Sequence, residues 1–392
     1  AYPGEQPVLD GNGETGGIIT LEQHASYLRI SGFTLRGFTV WGLSLVGENQ
    51  HIYLDHLTIE GGEAGLHFTY GDDELGPPAG GPVEDITLED SLITNSQYTA
   101  VDCTPGPCNR MVFRRLEVYG SGIGGEASYG ADGLAISRGY PLLVEDCFIH
   151  DNGGDGIDLN SRDRQGHASG VIVRRNQVVR NHLNGIKLWA GGRIENNLVW
   201  GQGNSAVWVG TFNSALEVVN NTIAYNMWDS THSQRNWAFV AGYPEETPSP
   251  QVDLLLVNNI FAFNTGPEVG DPTGIYLGPG VKLTEHHNLY FSRIDGEITA
   301  EFIKTDFYRQ ELADGSWTNR TGQGQGDLTI DPLFLSGWPQ VNLHLQPASP
   351  AIDAGDHALC PGEDARGTPR PVDGDKNGEA VCDLGAYEWG GQ

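Results

Sequence analysis

Short runs in which apolar and polar residues alternate, broken by Gly, Asn or Asp, recur along most of the chain. Two units take turns. The first is a short strand ending in a polar residue and a small apolar run: LEDSLI (88–93), FRRLEV (113–118), VEDCFI (144–149), VRRNQV (173–178), IENNLV (194–199), VVNNTI (218–223) and LVNNIF (256–261). The second follows a turn rich in Gly and Asn: GLHF (65–68), AVDC (100–103), GLAI (133–136), GIDL (156–159), GIKL (185–188), AVWV (206–209), WAFV (237–240) and GIYL (274–277). The closest copies lie in the low twenties of residues apart, and longer gaps mark loops inserted on particular rungs. Strands of this length and period predict a solenoid, because one coil buries its apolar face only by stacking on the next. Helical periodicity is not seen, and a propeller needs four strands per blade and a longer period. The expected fold is therefore all-β, a right-handed parallel β-helix.

Aligning the first unit places Cys147, Asn176, Asn197, Asn221 and Asn259 in one column, read as an inward ladder that satisfies backbone groups at a turn. Arg114, Glu145, Arg174 and Glu195 fall in another, with Arg115, Asp146 and Arg175 beside it. Opposite charges on successive rungs pair across strands, which makes these arginines structural. From about residue 291 the repeat fades. The expected organisation is a β-helix over 1–290, an insertion or irregular final coil over 291–330, and a capping segment over 331–392 that covers an otherwise open end. Within that segment Asp373, Asp375, Asn377 and Gly378 copy the start of a calcium loop, but Leu384 stands where the twelfth-position Glu belongs, which rejects an EF-hand.

Composition narrows the function. A formal net charge of -29 repels phosphate and argues against nucleic acid and anionic membranes as partners. No apolar run is long enough to span a bilayer. The chain opens at Ala1 in what reads as structured sequence, so a removed leader, secretion and a monomer are the expectation. Cys103 with Cys108 and Cys360 with Cys382 suit two local disulfides in an exported protein, and Cys147, in an apolar strand, reads as a buried thiol.

The third position of the second unit carries the chemistry. Down the stack it reads Ser44, His67, Asp102, Ala135, Asp158, Lys187, Trp208, Phe239 and Tyr276, a column opposite to the flanking apolar residues and so facing outward. Rungs lie roughly 4.8 Å apart, which brings Asp158 within reach of Lys187. Asp132 and Asp155, just ahead of their strands, add carboxylates on adjacent rungs. Three such groups make a hard oxygen site suited to Ca²⁺. A turn role before Gly suffices for Asp132 or Asp155 alone, but not for Asp158 inside a strand. Lys187 is one of four lysines, the others being Lys282, Lys304 and Lys376, in a chain that otherwise uses arginine. A surface ion pair is the bland reading. Lysine, unlike arginine, can release its proton near neutral pH when a neighbouring cation depresses its pKa, which a general base requires.

These residues resemble the family 9 polysaccharide lyases, whose best-studied members are pectate lyases. The resemblance rests on YPGEQPVLDG (2–11), GADGLAI (130–136), NGGDGIDL (152–159) and NGIKL (184–188). It implies Asp132, Asp155 and Asp158 as calcium ligands, Lys187 as Brønsted base, and calcium-assisted β-elimination on an acidic polysaccharide, polygalacturonate first. Gly154 replaces the first of two consecutive aspartates usual in the family, with Asp151, Asp102 or a backbone carbonyl as the expected compensation. Trp208, Phe239 and Tyr276, with Trp189 and His67, are expected to line the sugar-binding face; covering loops at 226–236 and 241–251 are the alternative. Two other readings stand beside this one. A β-helical glycoside hydrolase would use Asp155 and Asp158, and a carbohydrate-binding adhesin would use no catalytic group.

Overall fold

The computed structural model describes residues 4–69, 83–104, 106, 108–122, 130–137, 139–160, 170–210, 212–226, 237–242, 250–264, 275–291, 300–302, 305–307, 311 and 314–390. The chain folds as a right-handed parallel β-helix with a C-terminal closing segment. It divides into two compact units, Ala1–Ile172 with Gln177–Ala190, and Val173–Asn176 with Gly191–Gln392.

In the first unit a coil carries three short strands, as in Leu142–Glu145, Phe148–His150 and Ile157–Asn160. Each lies parallel to its counterpart one coil away: Met111 opposite Leu142, Phe148 opposite Gln177, and Ile157 opposite Ile186. Ile157 and Leu159 are fully buried while Asp158 between them reaches the surface, the period-two alternation of a pleated strand. The bend between the first and second strands is made by a residue in the left-handed region, Asp90 at φ 49°, Arg115 at 50° and Asp146 at 57°. Two of these bend residues pair, Arg115 Nε lying 2.7 Å from Asp90, and in the adjoining strand column Arg114 Nε lies 2.5 Å from Glu145. Cys147 follows the bend, buried and without a disulfide, its Sγ 3.5 Å from the Leu116 amide. A disulfide joins Cys103 to Cys108.

The asparagine ladder runs through the second unit. Asn176, Asn197, Asn221 and Asn259 each pass an amide hydrogen bond to the next, the last to Asn288, at 2.9–3.0 Å, and all five are buried with 0% exposure. The Nδ2 groups of Asn197, Asn221, Asn259 and Asn288 also donate to backbone carbonyls, as from Asn221 to Ile194 at 2.8 Å. A second ladder, Gln202 to Asn226 to Asn264, escaped the sequence alignment. The C-terminal segment closes this unit along its flank: Asn196, Asn220 and Asn258, at the left-handed bends, hydrogen bond Glu363, Asp383 and Asp356. Leu345, Ala351 and Leu384 there pack on Ala224, Ile260 and Leu289, and Cys360 is bonded to Cys382. Within 291–330, Ser316–Thr321 is a short helix where no helical period was read, and Leu328 bridges Leu289 as part of a further rung. Much of the polar stretch, 292–299, 303–304, 308–310 and 312–313, lies outside the described residues, as do most of the expected covering loops at 226–236 and 241–251.

Candidate active site

The outward column of the first unit is held by strand register. Ser44 pairs with His67, His67 with Asp102, Asp102 with Ala135, Ala135 with Asp158, and Asp158 with Lys187. Lys187 Nζ lies 2.8 Å from Asp158 Oδ2 and 2.8 Å from Asp155 Oδ2, and 5.0 Å from the centre of the Trp189 ring. Asp155 is buried and fixed from its other side, its Oδ1 accepting from the Asn184 amide at 2.8 Å and side chain at 2.7 Å. Asp132, also buried, accepts the Asp155 amide at 2.7 Å. Carboxylate oxygens of Asp132, Asp155 and Asp158 all fall within 4.8 Å of one another.

Electrostatics follow from that crowding. Burial, then the charges of Asp155 and Asp158, push Asp132 up to about 8, which favours its protonated form. Burial also raises Asp158, against the pull of Lys187. Burial alone would lower the Lys187 ammonium, but the charges and hydrogen bonds of Asp155 and Asp158 outweigh it and hold the lysine above its ordinary value. As it stands here, Lys187 is a cation.

Gly154 takes its place for a steric reason. A Cβ there would stand 2.4 Å from Asp132 Oδ1 and 2.8 Å from the Ala131 carbonyl carbon, so the carboxylate of Asp132 occupies the space a side chain would need. The expected compensation does not come from Asp151, whose carboxylate is bound by Arg180 at 2.8 and 2.6 Å and by His150 at 2.6 Å. Nor is Asp102 among the clustered oxygens; it accepts from Thr104 at 2.5 Å and faces His67 Nε2 at 3.7 Å.

Asp102 and His67 do line the neighbouring cleft, of about 370 Å³, together with Asp132, Asp158, Trp41 and Tyr98. Trp41 stacks on His67 with ring centres 5.2 Å apart, and Tyr98 is exposed. Neither was found from the sequence, because Trp41 sits three residues ahead of the column position and Tyr98 in a turn. In the second unit Trp208 and Tyr276 keep outward positions, but Phe239 does not. Register pairs Phe239 with Val207, and Val240 with Trp208 and Tyr276. The repeat there is AFVA, one residue later than expected, and Phe239 is a core residue with 0% exposure. Tyr276 stacks on Trp237, ring centres 4.3 Å apart.

The donor set suits a hard divalent cation. Three carboxylates converge, the hard oxygen donors that Ca²⁺ takes. The residues fit Ca²⁺.

Comparison with known proteins gives the following. Residues 41–223 match a family described as "Right handed beta helix region". No curated protein matches the chain. Among solved structures, pectate lyase Pel9A is similar at 12% identity, with 99% of this chain and 89% of that chain covered and a TM-score of 0.46. The Azotobacter vinelandii mannuronan C-5 epimerase AlgE4 A-module is 12% identical over 70% of this chain and 83% of that one, TM-score 0.36. The PL6 family polysaccharide lyase Pedsa3628 from Pseudopedobacter saltans is 12% identical over 81% and 89%, TM-score 0.33.

Proposed function

We propose that the protein is a secreted polysaccharide lyase of the pectate lyase type that cleaves a uronic-acid polymer, polygalacturonate first, by β-elimination. The observation that carries this reading is Lys187 Nζ at 2.8 Å from both Asp155 and Asp158, beside a third carboxylate, with Asp132 and Asp158 also lining a cleft that Trp41 and Tyr98 share.

Asp132, Asp155 and Asp158 would hold Ca²⁺. When bound, the ion would engage the carboxylates that keep Lys187 charged and would neutralise the substrate's own carboxylate, which this acidic surface otherwise repels. Neutral Lys187 accepts the proton at C5 of the uronate. The C5–H electron pair becomes the C4=C5 double bond, and O4 leaves with its bonding pair and takes a proton from solvent. Asn184 keeps Asp155 in place, and Trp189 covers one side of the lysine. Trp41 and His67, stacked and rigid, offer a flat face to a sugar ring in the cleft.

One observation favours glycoside hydrolysis instead: Asp132, pushed up to about 8, is a ready general acid. That reading leaves Lys187 without a task. Incubation with a panel of polyuronates, followed by ultraviolet absorbance of the unsaturated sugar, decides between them. Cleavage without that absorbance would establish hydrolysis, and tight binding without turnover an adhesin.

A further inference from the structure

We propose that His286, His287 and Asp356 form a second, separate metal site, for a divalent transition ion of the zinc class, that clips the C-terminal segment to the last long strand of the second unit. Two imidazoles and one carboxylate converge there from segments about seventy residues apart in sequence. His286 Nδ1 is 3.0 Å from His287 Nδ1 and 3.6 Å from Asp356 Oδ2, and the donor atoms of all three lie within 4.8 Å of one another. Zinc bonds of about 2.0–2.2 Å at a tetrahedral angle set neighbouring donor atoms roughly 3.3–3.6 Å apart. The distances bracket that spacing.

Each donor is aimed by something else. His287 occupies a left-handed bend at φ 51°, the position filled by Asn196, Asn220 and Asn258 on earlier rungs. The Cδ2–Nε2 edge of its ring lies against Gly326, where a Cβ would come within 2.5 Å, so the Nδ1 edge turns toward His286. The Asp356 peptide is pinned by Asn258, whose Oδ1 accepts its amide at 2.7 Å and whose Nδ2 donates to its carbonyl at 3.1 Å. Asp356 Oδ1 caps the short 3₁₀ turn His357–Leu359, accepting the Ala358 amide at 2.8 Å, which leaves Oδ2 toward the histidines. All three residues are partly exposed, which gives an ion a way in. Nitrogen donors in two of three places select zinc, cobalt or nickel over calcium, in contrast to the all-carboxylate set around Lys187.

The test uses full-length protein without a histidine tag. Co²⁺ is titrated and its visible d–d absorption followed, and the thermal midpoint is measured with and without Zn²⁺. The expected result is one equivalent of Co²⁺ with a visible band, and a midpoint raised by Zn²⁺. Both effects fall at least tenfold in affinity in His287→Asn, which suits the left-handed bend, and in Asp356→Asn, which still caps the turn. Both persist in Asp155→Asn. A folded wild type with no band, or variants that bind Co²⁺ as wild type does, would overturn the proposal, the rings then sharing only a hydrogen bond.

Discussion

Lys187 Nζ stands 2.8 Å from Asp158 Oδ2 across one rung, and the same nitrogen stands 2.8 Å from Asp155 Oδ2, so one cation is shared by two carboxylates. A lysine so placed keeps its proton until the charge around it changes. That condition makes the proposed chemistry testable residue by residue.

Replacing Lys187 separates charge from basicity. Lys187→Arg keeps a cation beside Asp155 and Asp158 but supplies no base, since guanidinium does not deprotonate. Both Lys187→Arg and Lys187→Ala are expected to lower the rate of unsaturated-product formation by about a thousandfold. Full activity in Lys187→Ala would sink the mechanism.

The pH dependence of stability should carry the mark of Asp132. Its folded value, about 8, lies above the ordinary carboxylate value, so the folded state holds the proton more tightly than the unfolded chain. That stability is complete at acid pH and is lost as pH rises from about 4 to about 8. In chelator, the denaturant midpoint of wild type should fall across this window more steeply than that of Asp132→Asn. Equal slopes would show that Asp132 ionises without cost.

Introducing an aspartate at position 154 should harm the site. The Cβ of either Gly154→Ala or Gly154→Asp meets Asp132 Oδ1 and the Ala131 backbone, which costs about 1–3 kcal/mol in overpacking and moves a carboxylate. Weaker Ca²⁺ response and lower activity are expected in both. Tighter Ca²⁺ binding by Gly154→Asp, measured calorimetrically, would contradict the steric account.

The ladder predicts a stability effect far from any chemistry. Asn221 accepts from Asn197 and donates to the Ile194 and Val219 carbonyls, all buried. Asn221→Ala strands several of these groups and should cost about 3 kcal/mol or more in chemical denaturation. A loss under 1 kcal/mol would mean that the ladder is dispensable.

Much of this was legible beforehand because a stacked coil repeats its inside and outside residue by residue. Asp158 and Lys187 were paired by alignment alone, and so were Asn197, Asn221 and Asn259. Phe239 was misplaced because its rung follows a long insertion, where counting from the previous copy loses the register by one. Trp41 and Tyr98 were missed because they reach the cleft from outside the aligned column.

The sequence by itself determined the coil and the place of Lys187 beside Asp158 in its outward column, since alternation and period are local properties that stacking only repeats. Tertiary structure decided the rest. It showed that Lys187 is shared with Asp155 as well as Asp158, that Asp151 belongs to Arg180, and that Gly154 makes room for Asp132. It also brought Asp356 to the histidines of a coil far earlier in the chain. These are matters of which side chain fills a given few ångströms, and that depends on where distant backbone segments lie.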